Sequence, residues 1–139
     1  MDRLTLKMTT AVDYLPAPEF SESTGHKFGL VYLGTTASAI TEVLDDLAKK
    51  GIALDALRIR AFPFHTSVTE FIDAHELVYV IEQNRDAQLK SLLKIECNIQ
   101  EEKMRSILSY DGLLITAQHI EKSILESLQT LEESGKASA

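Results

Sequence analysis

The chain has 139 residues, and its 14 Lys and Arg against 21 Asp and Glu leave a formal charge of -7, so no basic footprint directs it to nucleic acid. Hydrophobic residues make up 45% and charged residues 25%, the balance of a single globular domain that buries about two-thirds of its extended surface. One cysteine, Cys97, excludes an internal disulfide and any cysteine-built zinc or iron–sulfur site, while short apolar runs and the lack of a signal-peptide core imply a soluble cytoplasmic protein with no membrane partner.

Residues 1–27 read as a lead-in or linker: Pro16 and Pro18 favour extended chain, and Ser21, Ser23, Thr24 and Gly25 read as a flexible loop. Within it, Leu4 to Leu15 is amphipathic and leaves a short helix and an edge strand equally open. Phe28 to Leu33 is a strand stopped by Gly34, followed by a helix with Ile40, Val43, Leu44 and Leu47 on one face. Lys49, Lys50 and Gly51 end that helix by charge and by a left-handed cap. Leu57 to Phe62 reads as the second strand, closed by Pro63, and Ser67 with Glu70 as a capping box for a helix burying Val68, Phe71 and Ile72.

Leu77 to Ile81 is uniformly apolar, the mark of a strand covered on both faces. The polar turn 82–86 leads to a helix with Leu89, Leu92 and Leu93 inside; Met104 to Leu108 is a weaker strand, and Tyr110-Asp111-Gly112 a turn. Thr116 starts a last helix with Ile120, Ile124, Leu128 and Leu131 inward, and residues 132–139 form a flexible tail. The alternation predicts a three-layer α/β/α domain over residues 28–131, with a mostly parallel sheet and one antiparallel edge strand supplied by the lead-in or the end.

In such a sheet ligands meet the carboxyl ends of the strands. Gly34, Thr35, Thr36 and Ser38 could hold a phosphate at a helix start, although a plain threonine-capped turn explains them without a ligand, and no P-loop or dinucleotide fingerprint is present. Glu82 leaves the doubly covered strand as a catalytic carboxylate would, yet a matched acid or histidine is lacking, so a structural or interdomain role with Gln83, Asn84 and Arg85 is the stronger reading. His26, His65, His75 and His119 lack metal-ligand spacing; His75 closes a helix, where a cation suits the dipole, and Cys97 reads as a half-buried filler. No catalytic residue and no metal site is assigned.

Tyr79-Val80-Ile81-Glu82-Gln83-Asn84-Arg85-Asp86-Ala87-Gln88-Leu89 resembles a signature of 2-oxoacid:ferredoxin oxidoreductases, found in the C-terminal, transketolase-like domain of their alpha chain. Leu15-Pro16-Ala17-Pro18, Tyr32-Leu33-Gly34-Thr35-Thr36, Leu57 to Phe64 and Tyr110-Asp111-Gly112 extend the likeness from about Asp2 to Leu128, nearest to the 2-oxoglutarate type. The resemblance implies a mixed sheet of about five strands and an assembly role in an enzyme that turns a 2-oxoacid and coenzyme A into acyl-coenzyme A. That holoenzyme would use thiamine diphosphate, magnesium, an iron–sulfur cluster and coenzyme A, with no cofactor bound by this domain alone. Its partners would be the other domains of the alpha or fused gamma–alpha chain, the thiamine-binding beta subunit and, through the holoenzyme, ferredoxin. Pro63, Phe64, Glu82, Gln83, Asn84 and Arg85 are the expected docking residues.

Two other readings compete. A small flavodoxin-like module would hold phosphate at Thr35, Thr36 and Ser38 but would want aromatic rings around a flavin, and the chain has no Trp. A signalling receiver would need an acidic pair after the first strand, where Leu33-Gly34-Thr35 supplies none.

Overall fold

The computed structural model describes residues 16–20, 25–33, 37–83, 85–109 and 115–138. Their elements run β1 (Glu19–Phe20), β2 (Phe28–Leu33), α1 (Ala37–Lys49), β3 (Leu54–Ile59), α2 (Thr66–Asp73), β4 (Leu77–Glu82), α3 (Gln88–Glu96), β5 (Met104–Leu108) and α4 (Ala117–Ser138). A 3-10 turn, Glu101–Lys103, leads into β5. The five strands form one sheet in the order β1-β3-β2-β4-β5. β2, β3, β4 and β5 are parallel, and β1 lies antiparallel on β3, Glu19 opposite Arg58. The expected mixed sheet, with its antiparallel edge drawn from the lead-in, is therefore present.

Alternation along the strands divides the core in two. Leu30, Leu54, Ala56, Leu77, Tyr79 and Ile81 face α1 and α4, where Ile40, Val43, Leu47, Ile120 and Ile124 meet them. Val31, Leu57, Ile59, Val78 and Val80 face α2 and α3, against Val68, Phe71, Ile72, Leu89 and Leu93. All six residues of β4 are buried, as its unbroken apolar run requires.

α1 ends as its sequence predicts. Gly51 takes φ +80, and the Ile52 N–H donates back to the Leu47 carbonyl at 2.9 Å, closing the left-handed cap. Polar contacts fasten α4 to the sheet: the buried Tyr79 hydroxyl donates to Ser127 Oγ at 2.9 Å and Arg105 Nη1 donates to the same oxygen at 3.0 Å. At its start, Thr116 Oγ1 accepts the His119 N–H at 3.2 Å, and His119 Nε2 donates to the Leu108 carbonyl at 3.0 Å.

Several boundaries differ from the sequence reading. β3 begins at Leu54 and ends at Ile59, three residues before the expected span at each end. The cause is Asp55, an acid that a strand pattern rejects but that finds a buried partner here; Arg60, beyond the strand, pairs with Glu19 at 3.5 Å. α2 is capped not by Ser67 but by His65, whose Nδ1 accepts the Ser67 N–H at 3.1 Å and lies 2.8 Å from the Ser67 hydroxyl. An imidazole acceptor thus does the work assigned to a serine. Leu92 is half-buried rather than internal, and α4 continues helical to Ser138 where a tail is expected from residue 132. Leu4 to Leu15, Ser21, Ser23, Thr24 and Tyr110-Asp111-Gly112 lie outside the described residues.

Because Ile120 is fully buried between α4 and the sheet, Ile120→Ala is expected to lower stability by about 2–5 kcal/mol through lost burial and an unfilled cavity. The urea unfolding midpoint measures this, with the slope unchanged.

Candidate functional site

Parallel strands β2, β3 and β4 deliver their carboxyl ends to one edge, where the sequence reading placed three loops. In the first, Ser38 stands exposed in the opening turn of α1, while Gly34, Thr35 and Thr36 lie outside the described residues. The second follows β3. Phe62 is 43% exposed and meets Phe64 edge-on at 5.3 Å, whereas Phe64 is half-buried against the α2 side of the core. Leu33, ending β2, is 44% exposed. Large apolar side chains are thus left in water at this edge of the sheet. Leu33 and Phe62 were not among the residues expected there; Leu33 ends β2 and Phe62 lies three residues beyond β3.

In the third loop Glu82 has a structural role. Glu82 is 4% exposed and does not face outward with its neighbours. Counting along β4, it points to the α2–α3 side, and its carboxylate accepts the backbone N–H of Leu89 and, at 3.3 Å, that of Lys90. It caps α3 across the loop, compensating for Ala87, which occupies the cap position at φ 50 with no side-chain hydrogen bond. Gln83 and Arg85 are exposed, and Asn84 lies outside the described residues. The carboxylate that looked like a candidate acid is thus committed to a helix terminus, where the dipole and free N–H groups stabilise its charge.

The opposite, amino edge holds a cluster that the sequence reading missed. Asp55 and His75 are both buried, and His75 Nε2 lies 2.7 Å from Asp55 Oδ2 while its Nδ1 lies 2.6 Å from the Phe71 carbonyl. The carbonyl can only accept, so Nδ1 carries a proton; Nε2 and Oδ2 then share another. The His26 backbone N–H donates to the same Oδ2 at 3.1 Å, and its ring stands 3.8 Å from Oδ1. Gly29 makes room: a Cβ there would stand 3.0 Å from the Phe71 ring and 3.1 Å from His75. His75 is therefore more than a helix-end cation. The missed signal was an acid at an inward-facing strand position.

Beside this cluster a cleft of about 550 Å³ opens between Lys27, Phe28, Ile52, Leu128 and Leu131. Lys27 at its mouth is paired with Glu76 at 3.3 Å. Among the described residues no group of three or more His, Cys, Asp or Glu converges as a metal site would need. Cys97 is half-buried with its thiol pushed up by burial, aided against that shift by a Thr69 hydrogen bond. One such thiol does not fit an iron–sulfur cluster, whose ligands are several thiolates. No described helix is long and apolar enough to cross a membrane.

The sheet order and single antiparallel edge define a transketolase C-terminal-like α/β domain. A split-gene transketolase, described as an inactive beta4 tetramer, shares the fold at a TM-score of 0.64 and 16% identity, over 80% of this chain and 41% of that one. The chain is also similar to 2-oxoacid:ferredoxin oxidoreductases. It matches the alpha chain of a probable 2-oxoacid ferredoxin oxidoreductase from Thermoplasma acidophilum at 28% identity and a TM-score of 0.56, over 81% of this chain and 97% of that one. The 2-oxoglutarate:ferredoxin oxidoreductase of Magnetococcus marinus, solved with 2-oxoglutarate, coenzyme A and succinyl-CoA bound, matches at 21% identity and a TM-score of 0.74 over 85% of this chain. The chain spans 21% of that relative's length. No family model and no curated protein matches the sequence.

Two outcomes follow from this geometry. Asp55→Ala leaves His75 buried without its carboxylate and is expected to cost about 3–5 kcal/mol, whereas Asp55→Asn, which keeps an acceptor, costs less; denaturant titration compares them. Because burial raises the Cys97 pKa, the thiol loses its proton at higher pH in the folded chain than in the unfolded one. Its iodoacetamide reaction rate should therefore plateau at higher pH than in urea-unfolded chain. By the same linkage, this group withdraws stability as pH rises past the unfolded thiol's range.

Proposed function

We propose that this chain is an accessory, assembly domain of the alpha subunit of a thiamine diphosphate-dependent 2-oxoacid:ferredoxin oxidoreductase, of the 2-oxoglutarate type. The observation that carries the reading is the likeness to an alpha chain of such an enzyme, matched over 97% of that chain's length. In this reading the domain binds no cofactor of its own. Thiamine diphosphate, magnesium, the iron–sulfur cluster and coenzyme A belong to companion domains and to the beta subunit, and ferredoxin meets the assembled enzyme in the cytoplasm.

The carboxyl edge supplies the docking surface. Exposed Leu33 and Phe62, half-buried Phe64 with Pro63, and exposed Gln83 and Arg85 present an apolar centre with a polar margin, the composition of an interface core and rim. Glu82, turned inward, supports the reading that groups making and breaking bonds are supplied elsewhere.

The purified chain, given 2-oxoglutarate, coenzyme A, thiamine diphosphate and oxidised ferredoxin, is expected to show no reduction of ferredoxin. Addition of the companion subunits of the same oxidoreductase is expected to give turnover, and Phe62→Asp is expected to weaken that assembly at least tenfold. Turnover by the chain alone would refute the assembly role.

A further inference from the structure

We infer that β5, at one edge of the sheet, docks on β5 of a second copy of this chain, the two running antiparallel about a two-fold axis beside Ser106. β4 flanks β5 on one side, and on the other no strand pairs with it among the described residues. A strand residue aims its N–H and C=O to the same side, and successive residues alternate. The Ser109 N–H donates to the Glu82 carbonyl at 3.0 Å. Arg105 and Ile107 therefore also face β4, while Met104, Ser106 and Leu108 aim their backbone groups outward.

Two of those outward groups are engaged within the chain. The Met104 N–H donates to the Glu101 carbonyl, and the Leu108 carbonyl accepts from His119 Nε2 at 3.0 Å. The rest have no partner among the described residues: an acceptor at Met104, a donor and an acceptor at Ser106, and a donor at Leu108. This row of alternating partial charges is complementary to its own reverse. With Ser106 opposite Ser106, a second copy sets a Leu108 donor against each Met104 acceptor and the Ser106 groups against each other. The two engaged groups then fall opposite one another, so neither is asked for a second bond. A strand of another chain would bring a donor and an acceptor to those two places and find both partners taken.

The side chains agree with this pairing. Ser106 Oγ is buried with no hydrogen-bond partner among the described residues, and a serine directly opposite on the same face is within reach of a cross-strand hydrogen bond. Charged side chains commonly keep sheet edges apart, but here the nearest cations are turned away. Lys103 Nζ donates to the Asp73 carbonyl at 3.1 Å and Arg105 Nη1 to Ser127 Oγ at 3.0 Å.

The test uses the whole chain, in sedimentation equilibrium from micromolar to millimolar concentration, with amide hydrogen exchange at both ends of that range. One short strand pair is small beside a standard interface, so dimers are expected to dominate only toward the millimolar end. No larger species is expected, because the two-fold axis consumes the edge. Exchange at Ser106 and Leu108 is expected to slow at least tenfold in the dimer, whereas Met104, whose N–H is tied inside the chain, is unchanged. S106P removes an outward N–H that β4 does not use, which an edge strand tolerates, and is expected to stay monomeric throughout. A wild-type chain that is still monomeric at millimolar concentration would overturn the inference. A dimer in which Ser106 and Leu108 exchange at the monomer rate would do the same, as would S106P dimers as stable as wild type. If S106P does not fold, the exchange pattern of the wild-type chain decides alone.

Discussion

β2 and β4 carry apolar side chains on both faces, so neither side of the sheet can be left to water. Every other element answers that requirement. α1 and α4 cover one face and α2 and α3 the other, each fully buried Leu, Ile or Val contributing about 1.5–3 kcal/mol. Parallel pairing of four strands follows, since each helix must return the chain to the starting edge before the next strand. The loops are consequently sorted: those entering helices lie at one edge and those leaving helices at the other.

This sorting explains where polar groups can be buried. At the carboxyl edge the helix termini offer free N–H groups, and Glu82 is buried there as an acceptor. At the amino edge the helix ends offer carbonyls, and His75 is buried there as a donor to Phe71, with Asp55 completing its protons. Glu82 and His75 thus each lie where the backbone supplies the complementary hydrogen-bond partner. Both clusters tie separate elements together: Glu82 joins β4 to α3, and Asp55 joins β3, the chain after α2 and the lead-in at His26.

Much of this fold was legible in the residues. The unbroken run from Leu77 to Ile81 announced a doubly covered strand, the four-residue rhythm of Ile40, Val43, Leu44 and Leu47 announced α1, and Gly51 its end. What misled was chemistry whose partner is distant. Asp55 reads as a loop residue until His75, 20 positions away, is brought beneath it. His65 gave no sign of capping because serine is the commoner cap, and Glu82 looked outward because its helix partners lie beyond a turn. That loops gather at the carboxyl ends of the strands was legible, but which of their side chains turn outward was not. That depends on strand parity at the last residue, which a boundary error of one position inverts.

The antiparallel course of β1 has a further consequence. Running against β3, it carries the chain downward from the edge where β2, β3 and β4 finish, and Pro16 and Pro18 lie in a crevice with Ile59, Pro63 and Val68. Pro16 and Pro18 are thereby held beside the segment that follows β3. The entry of the described chain and the exit of β3 therefore share one crevice, so a change in either segment is felt by the other.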